Sequence, residues 1–272
     1  LSGDWSSDVC SSDLMAALGW YSGDTHIHMR RNGANDDSLL NVTSAKDIKY
    51  AYLVSVDKDR YYRAAGNEDR PQNSEFGDST TACRGEYWLS SSQEYISESL
   101  GHVTLHLLNE YVHGEKPVRD ADCEPSLAVI ADRVHELNGF IGLAHGGYDN
   151  QEADGLFLAG KMDFLELLQF GGYRSQGLEG WYDILNLGYR LPIVGACDFP
   201  PTRELGSEIT YVRSDVPLTP RTWIEGAAGG RSFVSSGPML FLEAGSARPG
   251  DILEMPEGVD TLLQVSVKVR SN

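Results

Sequence analysis

Three short strand-like segments of this sequence, two of them largely apolar, each carry a histidine or an aspartate at or near their ends, and helix-like segments separate them along the chain. They are GDTHIHMR (23–30), FIGLAH (140–145) and LPIVGACD (191–198). Apolar runs of this length that alternate with helices are typical of α/β folds with a largely parallel sheet or barrel. Reactive residues in such folds gather at the carboxyl ends of the strands. The sequence therefore predicts that His26, His28, His145 and Asp198 meet at one mouth of the fold.

The spacing within GDTHIHMR adds a chemical argument. Successive side chains of a strand point to opposite faces, so an extended strand places Asp24, His26 and His28 on the same face, where they could bind one ion. An isolated His-x-His is equally compatible with an ordinary strand whose histidines meet water or a carbonyl group. The other candidate ligands in the chain must decide between these interpretations.

Two carboxylates, Glu94 in SSQEY and Asp198 in GACDFPP, lie beside apolar strands. A carboxylate in that position is costly unless it is paired or bound to a metal, and a salt bridge to an arginine is the alternative. His102 and His106 share a face, so one of them is a further candidate, and His106, flanked by leucines, is expected to be a hydrogen-bonded core residue. Imidazole together with carboxylate suits zinc, manganese or iron, with no clear choice among the three.

Composition excludes several function classes. The formal net charge is −18, from 22 Lys plus Arg against 40 Asp plus Glu, and such a surface repels a phosphate backbone, so we expect no nucleic-acid binding. No apolar run is long enough for a transmembrane segment. The sequence also lacks the G-x-S-x-G, P-loop and H-E-x-x-H strings. A small-molecule substrate is therefore the expected partner, and the oligomeric state stays open.

The two ends of the chain need separate treatment. Residues 1–14 contain DWSSDVCSSDL, which matches one reading frame of a common sequencing-adapter oligonucleotide, so we expect this segment to be an artefact of assembly from a metagenomic fragment. The native start would then be missing, and a cytoplasmic and an exported location both stay open. Residues 15–237 are expected to form the α/β domain. Residues 238–272 alternate like strands and are expected to be a truncated β-rich domain.

Five segments in a fixed order resemble the CehA/McbA-like metallohydrolases of the PHP (polymerase and histidinol phosphatase) superfamily. They are GDTHIHMR, SSQEYISESLGH, GFIGLAHGG, LLNLGYRLPIVGACD and GGRSFVSSGPML. The resemblance runs from about Gly19 to Asp251 and implies a distorted (β/α)7 barrel of the TIM-like kind, followed by a small β-sandwich. The metal-binding positions that it implies are His26, His28, Glu94, His102, His145 and Asp198. Asp24 and Asp57 are implied as ligands or as groups that support them.

Two departures from the family pattern bear on the metal count. The usual TDH after the second strand is Val56-Asp57-Lys58 here, and the late D-x-H is Asp198-Phe199-Pro200. Two family histidines are thus replaced, so one or two divalent ions are expected rather than three. Lys58 could place its ammonium group near a substrate anion or could be a solvated loop residue.

The resemblance implies a hydrolase in which a metal-activated water attacks an ester, carbamate or phosphoester bond, with Asp198 or Glu94 orienting the water. The competing interpretation is a non-catalytic binding module that keeps the barrel with at most a structural ion and attaches to a surface or polymer through its β-domain. Geometry discriminates between them, because converging ligands with an open position support an enzyme.

Overall fold

The structure, a computed structural model, describes residues 15–56, 76–77, 80–97, 100–112, 125–147, 152–167, 178–258 and 262–270. The strands in these ranges are β1 (Trp20–Ile27), β2 (Tyr50–Val56), β3 (Ala82–Arg84), β4 (Tyr87–Ser97), β5 (Gly101–His106), β6 (Phe140–Leu143), β7 (Phe164–Glu166), β8 (Ile193–Val194), β9 (Ile209–Arg213), β10 (Ser232–Ser235), β11 (Met239–Ala244) and β12 (Val265–Arg270). The helices are α1 (Asp36–Ala45), α2 (Leu127–Glu136), α3 (Ala153–Leu158), α4 (Leu178–Asn186) and α5 (Pro220–Ala228).

One mixed sheet forms most of the fold. Its strand order is β10-β9-β1-β2-β4-β5-β6-β7-β8, with β3 paired to β4 off this path. Strand β10 contacts β8, so the nine-strand path is nearly closed into a barrel. Strands β1, β2 and β4 are parallel to one another, as are β6, β7 and β8. The predicted α/β class with a barrel-like sheet is confirmed at this level.

Two strands of the nine-strand path run against the other seven, as β3 does off the path. Strand β5 is antiparallel to β4 and β6, and β9 is antiparallel to β1 and β10. The direction of β5 follows from its connection, since β4 ends at Ser97 and β5 begins at Gly101, whereas a parallel crossover needs about a dozen residues or more. As a result, the start of β5 lies at the same mouth as the carboxyl ends of β1, β4 and β6.

Helix α5 packs aromatic side chains against the first strands. Trp223 is fully buried, and a Cβ atom on Gly23 would lie 2.4 Å from its ring, so only glycine lets β1 approach this helix. The hydroxyl of Tyr50 donates to Leu218 O at 2.7 Å. The helix begins with Thr219 as the N-cap in a capping box and Pro220 as the first helical residue.

Helices α1 and α2 pack apolar side chains against the outside of the sheet. Leu127, Ile130 and Val134 of α2 pack in one cluster with Leu105 and Ile141 of the sheet. Helix α1 buries Leu39 and Leu40 in a second cluster with Ile27 and Leu53. Its N-cap is Asn35, and Asp36 and Asp37 lie in its first turn. These layers cover the outside of the sheet and leave the mouth to the polar residues described below.

His106 is a fully buried core histidine, as predicted. Its Nδ1 lies 3.0 Å from Ser92 Oγ, and its ring packs on Tyr52 and Phe164. Burial, helped by the nearby charge of His26, lowers the pKa of His106 to about 3. The folded protein therefore keeps this ring neutral at pH values where the unfolded chain protonates it.

Replacing His106 with phenylalanine is expected to make folding stability less dependent on acid. The stability that depends on a neutral His106 is complete above about pH 6.5 and is lost as pH falls toward 3, because only the unfolded state gains the proton. Between about pH 8 and pH 5, urea unfolding in chelator should show about 2 kcal/mol less loss in His106→Phe than in the wild type. Equal losses in both proteins would contradict the assignment.

The last two strands form a separate two-stranded sheet, in which Met239 pairs with Arg270 and Ala244 with Val265. Phe241 of β11 contacts Trp20 and Phe233 of the barrel. The β-sandwich and the domain boundary near residue 238 stay predictions. Residues 1–14 lie outside the described ranges. Within those ranges, the helices are all too short or too polar to span a membrane.

Candidate metal centre

The predicted ligands come from six places on the barrel, and the structure brings them to one mouth. His26 lies at the end of β1 and His28 directly after it, while Glu94 lies in the last part of β4. The remaining three are His102 at the start of β5, His145 after β6 and Asp198 after β8. The antiparallel direction of β5 therefore places His102 with the other five.

His26, His28 and Asp198 form the first group of converging ligand atoms. Their closest atoms are His26 Nε2 and His28 Nε2 at 3.1 Å, and His28 Nε2 and Asp198 Oδ1 at 3.0 Å. His26 Nε2 lies 3.5 Å from Asp198 Oδ1. The three atoms thus surround one small space.

Glu94 joins this group to a second one, formed by His26, Glu94 and His145. Its Oε2 lies 3.3 Å from His28 Nε2 and 3.6 Å from His26 Nε2. Its Oε1 lies 2.9 Å from His102 Nδ1 and 3.6 Å from His145 Nε2. The Glu94 carboxylate is therefore the centre of the cluster.

These separations fit a metal ion. Bonds of about 2.1 Å place neighbouring ligand atoms about 3.0–3.4 Å apart in octahedral or tetrahedral geometry, and the distances within the first group lie close to that range. Asp198 Oδ1 is buried, and no protein group in the described ranges forms a hydrogen bond of good geometry with it. A buried carboxylate oxygen is costly in that state, and a cation would satisfy it.

Backbone strain marks two of these positions. His145 has φ 59° and Asp198 has φ 47°, a left-handed conformation that residues other than glycine adopt rarely. Contacts around Asp198 hold its loop against β1, since Phe199 O accepts a hydrogen bond from His28 N at 2.7 Å and Thr202 Oγ1 donates to Cys197 O. Strain that surrounding contacts maintain is concentrated at functional sites.

The pKa values in the cluster reflect burial and close opposite charges. Burial disfavours the charged ring of His26, but Glu166 and Glu94 outweigh it and raise the pKa of His26 well above its usual value. Burial opposes ionisation of Glu94 as well, yet His26 and His102 hold its pKa well below the usual range. Burial lowers the pKa of His145 to about 4, so its ring is neutral at pH 7. His145 can therefore offer a nitrogen lone pair.

The charge balance also favours a cation. Four carboxylates are buried in and below the cluster, namely Asp24, Glu94, Glu166 and Asp198. In the described part of the chain, Glu94, Glu166 and Asp198 form ion pairs with histidines, Asp24 accepts backbone hydrogen bonds, and none of the four pairs with a lysine or an arginine. The salt-bridge alternative for Glu94 and Asp198 would have needed an arginine there. A divalent cation is the simplest counterion for this set.

Three other predicted positions differ from these six. Asp24 does not belong to either converging group: its Oδ1 accepts hydrogen bonds from the backbone N–H groups of His26 and Cys197, and burial raises its pKa to about 7. It therefore supports the loop and strand that carry the ligands. Asp57 and Lys58 lie outside the described residues.

Sequence analysis missed Glu166, which is fully buried in β7. Its Oε2 lies 2.9 Å from His26 Nδ1, the ring nitrogen that faces away from the cluster. The available signal was a carboxylate flanked on both sides by apolar residues in the string DFLELLQF. The same kind of signal singled out Glu94.

No protein-family model and no curated protein matches the chain. Among solved structures, PsfC from Pseudomonas syringae is similar, with a TM-score of 0.54 at 12% identity over 80% of this chain and 91% of PsfC. Endonuclease Q in complex with a 27-mer duplex substrate that has an abasic lesion at the active site gives a TM-score of 0.48 at 16% identity over 80% of this chain. Endonuclease Q from Pyrococcus furiosus gives 0.45 at 14% over 79%.

This chain spans 58% and 57% of the lengths of the two endonuclease Q chains. At such low identity a structural likeness shows the fold alone. The chain therefore shares the fold of PsfC over most of its length, with the converging histidines and carboxylates at the mouth of that fold.

Proposed function

We propose that the protein is a metal-dependent hydrolase of the PHP superfamily, related to the CehA/McbA-like enzymes, that cleaves an ester, carbamate or phosphoester bond in a small molecule. One observation carries the proposal: five side chains form two overlapping groups of converging ligand atoms that share His26, beside the buried Asp198 Oδ1, which accepts no hydrogen bond in the described residues. They are His26, His28, Glu94, His145 and Asp198. Buried carboxylates are costly without a counterion, and imidazole with carboxylate is a ligand set that divalent cations use.

The donor set suits one or two ions of zinc, manganese or iron. His26 belongs to both converging groups. Because one nitrogen lone pair binds one ion, the two groups of described residues form a single metal site that shares His26. His102 would extend it through Glu94, whose Oε1 it already contacts. A bound divalent ion would supply Lewis acidity that polarises a carbonyl or phosphoryl oxygen and makes water acidic near neutral pH.

The protein side chains have complementary roles. Asp198 and Glu94 are the catalytic carboxylates, which would orient the attacking water and accept its proton. The histidines hold the centre in place. Lys58, just beyond β2, would hold an anionic substrate group, and Asp57 would support the centre from the same segment.

The proposal includes the fold of the superfamily: the barrel is of the (β/α)7 kind, and residues 238–272 belong to a β-sandwich.

Exposure supports an enzyme over a binding module with a structural ion. The side chains of His28, His102 and His145 are 10%, 26% and 9% exposed, so the cluster opens to solvent on one side. Structural metal sites are closed, whereas catalytic ones keep an open position. The acidic net charge still argues for a small-molecule substrate rather than nucleic acid.

Metal content tests the proposal directly. The wild-type protein, purified after growth with zinc, manganese and iron, is expected to carry about one or two ions per chain by elemental analysis. The double variant His26→Ala/His28→Ala should carry none, because it removes both nitrogens of the first group. His135→Ala is the matched control, since this histidine pairs with Asp163 away from the cluster. A folded wild type that carries no metal would favour the other interpretation, a non-catalytic binding module.

A further inference from the structure

Glu166 is a buried carboxylate below the cluster, and it contacts the candidate ligand His26 at the ring nitrogen that faces away from the cluster. Its Oε2 lies 2.9 Å from His26 Nδ1, while His26 Nε2 points into the cluster. Glu166 and His26 are both fully buried, so water does not compete for this contact. The pair therefore links strand β7 to the centre through His26.

Two threonines hold the carboxylate in this orientation. Thr25 Oγ1 and Thr104 Oγ1 each donate a hydrogen bond to Glu166 Oε1 at 3.2 Å. With Oε1 occupied by hydroxyl donors, Oε2 is directed at the His26 ring. Three strands, β1, β5 and β7, thus supply the parts of one buried network.

An irregularity in β1 makes this network feasible. Asp24 pairs with Ala51 and Ile27 pairs with Leu53, so three steps along β1 match two steps along β2. Regular alternation would point Thr25 and His26 to opposite faces, whereas the shift lets both reach Glu166. Bulges beside active sites commonly redirect side chains in this way.

We propose that Glu166 is a positioning residue that fixes the tautomer and ring orientation of His26, so that the Nε2 lone pair faces the metal. This role rests on the proposed function, because it matters only if the cluster binds a cation. A carboxylate only accepts hydrogen bonds, so it holds the proton of the neutral ring on Nδ1 and leaves Nε2 as the ligand atom. Partners of this kind orient metal-bound histidines and raise their basicity.

Glutamine at position 166 provides a sharp test. Glu166→Gln keeps the shape but adds an amide that can donate to Nδ1, which favours the tautomer with its proton on Nε2, where it blocks metal binding. The dissociation constant for zinc, measured by competition with a chromophoric chelator, is expected to rise by about 10- to 100-fold.

Asp163→Asn is the matched control. Asp163 makes the same type of contact, with Oδ2 3.1 Å from His135 Nε2, on the residue just before β7 and outside the cluster. Its zinc affinity should stay within about twofold of the wild type. Circular dichroism and the melting temperature of both variants would establish that each is folded.

Nuclear magnetic resonance of the zinc-loaded wild type distinguishes a positioning role of Glu166 from a merely structural one. Long-range ¹H–¹⁵N correlation of the His26 ring should show the proton on Nδ1 and a metal-bound Nε2. Zinc on Nδ1, or a proton on Nε2, would overturn the assignment even if Glu166→Gln failed to fold. Wild-type affinity in a folded Glu166→Gln would overturn the positioning role alone, whereas a wild type that binds no metal would overturn the proposed function with it.

Discussion

Replacing Glu94 with glutamine is expected to lower metal-dependent hydrolysis by about 10³-fold, the scale of losing one positioned catalytic carboxylate. Glu94 contacts both groups of converging atoms, with one oxygen toward His28 and the other toward His102 and His145. A neutral amide keeps the volume but cannot act as a base or balance a cation through two oxygens. The measurement is kcat/KM with zinc- and manganese-loaded protein on p-nitrophenyl ester, carbamate and phosphoester probes.

The panel of probes also identifies the bond type, because the wild type should hydrolyse one class well above the others. Asp163→Asn serves again as the carboxylate-to-amide control and should retain wild-type kcat/KM. If Glu94→Gln kept wild-type activity with full metal content, Glu94 would be a spectator in the site. If the residual activity of Glu94→Gln were the same with bound metal and in chelator, a different catalytic group would be responsible for it.

Strand direction was only partly predictable from the sequence. The segments that end in His145 and Asp198 are recognisable because burial on both faces gives nearly continuous apolar runs. Strand β9, which closes the path between β1 and β10, was not predicted, since EITYVR is short and carries charges at both ends. The antiparallel β5 could have been inferred from the short connection after Ser97.

The site shows the same division between local and long-range information. His26 and Asp198 follow from the rule that strand ends carry reactive residues, a rule that needs only local sequence. Glu166 could not be assigned a role, because its partner His26 lies 140 positions away and the contact depends on the register shift in β1. Asp24 was expected on the same face as the two histidines. In the structure, its Oδ1 instead accepts hydrogen bonds from the backbone N–H groups of His26 and Cys197.

Removing bound metal is expected to lower the melting temperature of the wild type by about 5–10 °C. An ion at about 100 times its dissociation constant stabilises the folded state by about 2.7 kcal/mol, and each kcal/mol moves the melting temperature of a domain of this size by about 2–4 °C. The physical source is the set of buried carboxylates Glu94, Glu166 and Asp198, whose ion pairs in the described ranges are all with histidines. Differential scanning fluorimetry with zinc and with chelator measures the shift.

The double variant His26→Ala/His28→Ala should melt at the same temperature in zinc and in chelator, because it lacks both nitrogens of the first group. His135→Ala should keep the wild-type shift, which shows whether a surface histidine contributes. A wild type that binds zinc tightly but melts at the same temperature without it would contradict the assignment of the ion to this buried cluster. Such an ion would have to bind the unfolded chain equally well. The unfolded chain cannot contain this cluster, because the cluster is assembled from strands that are distant in sequence.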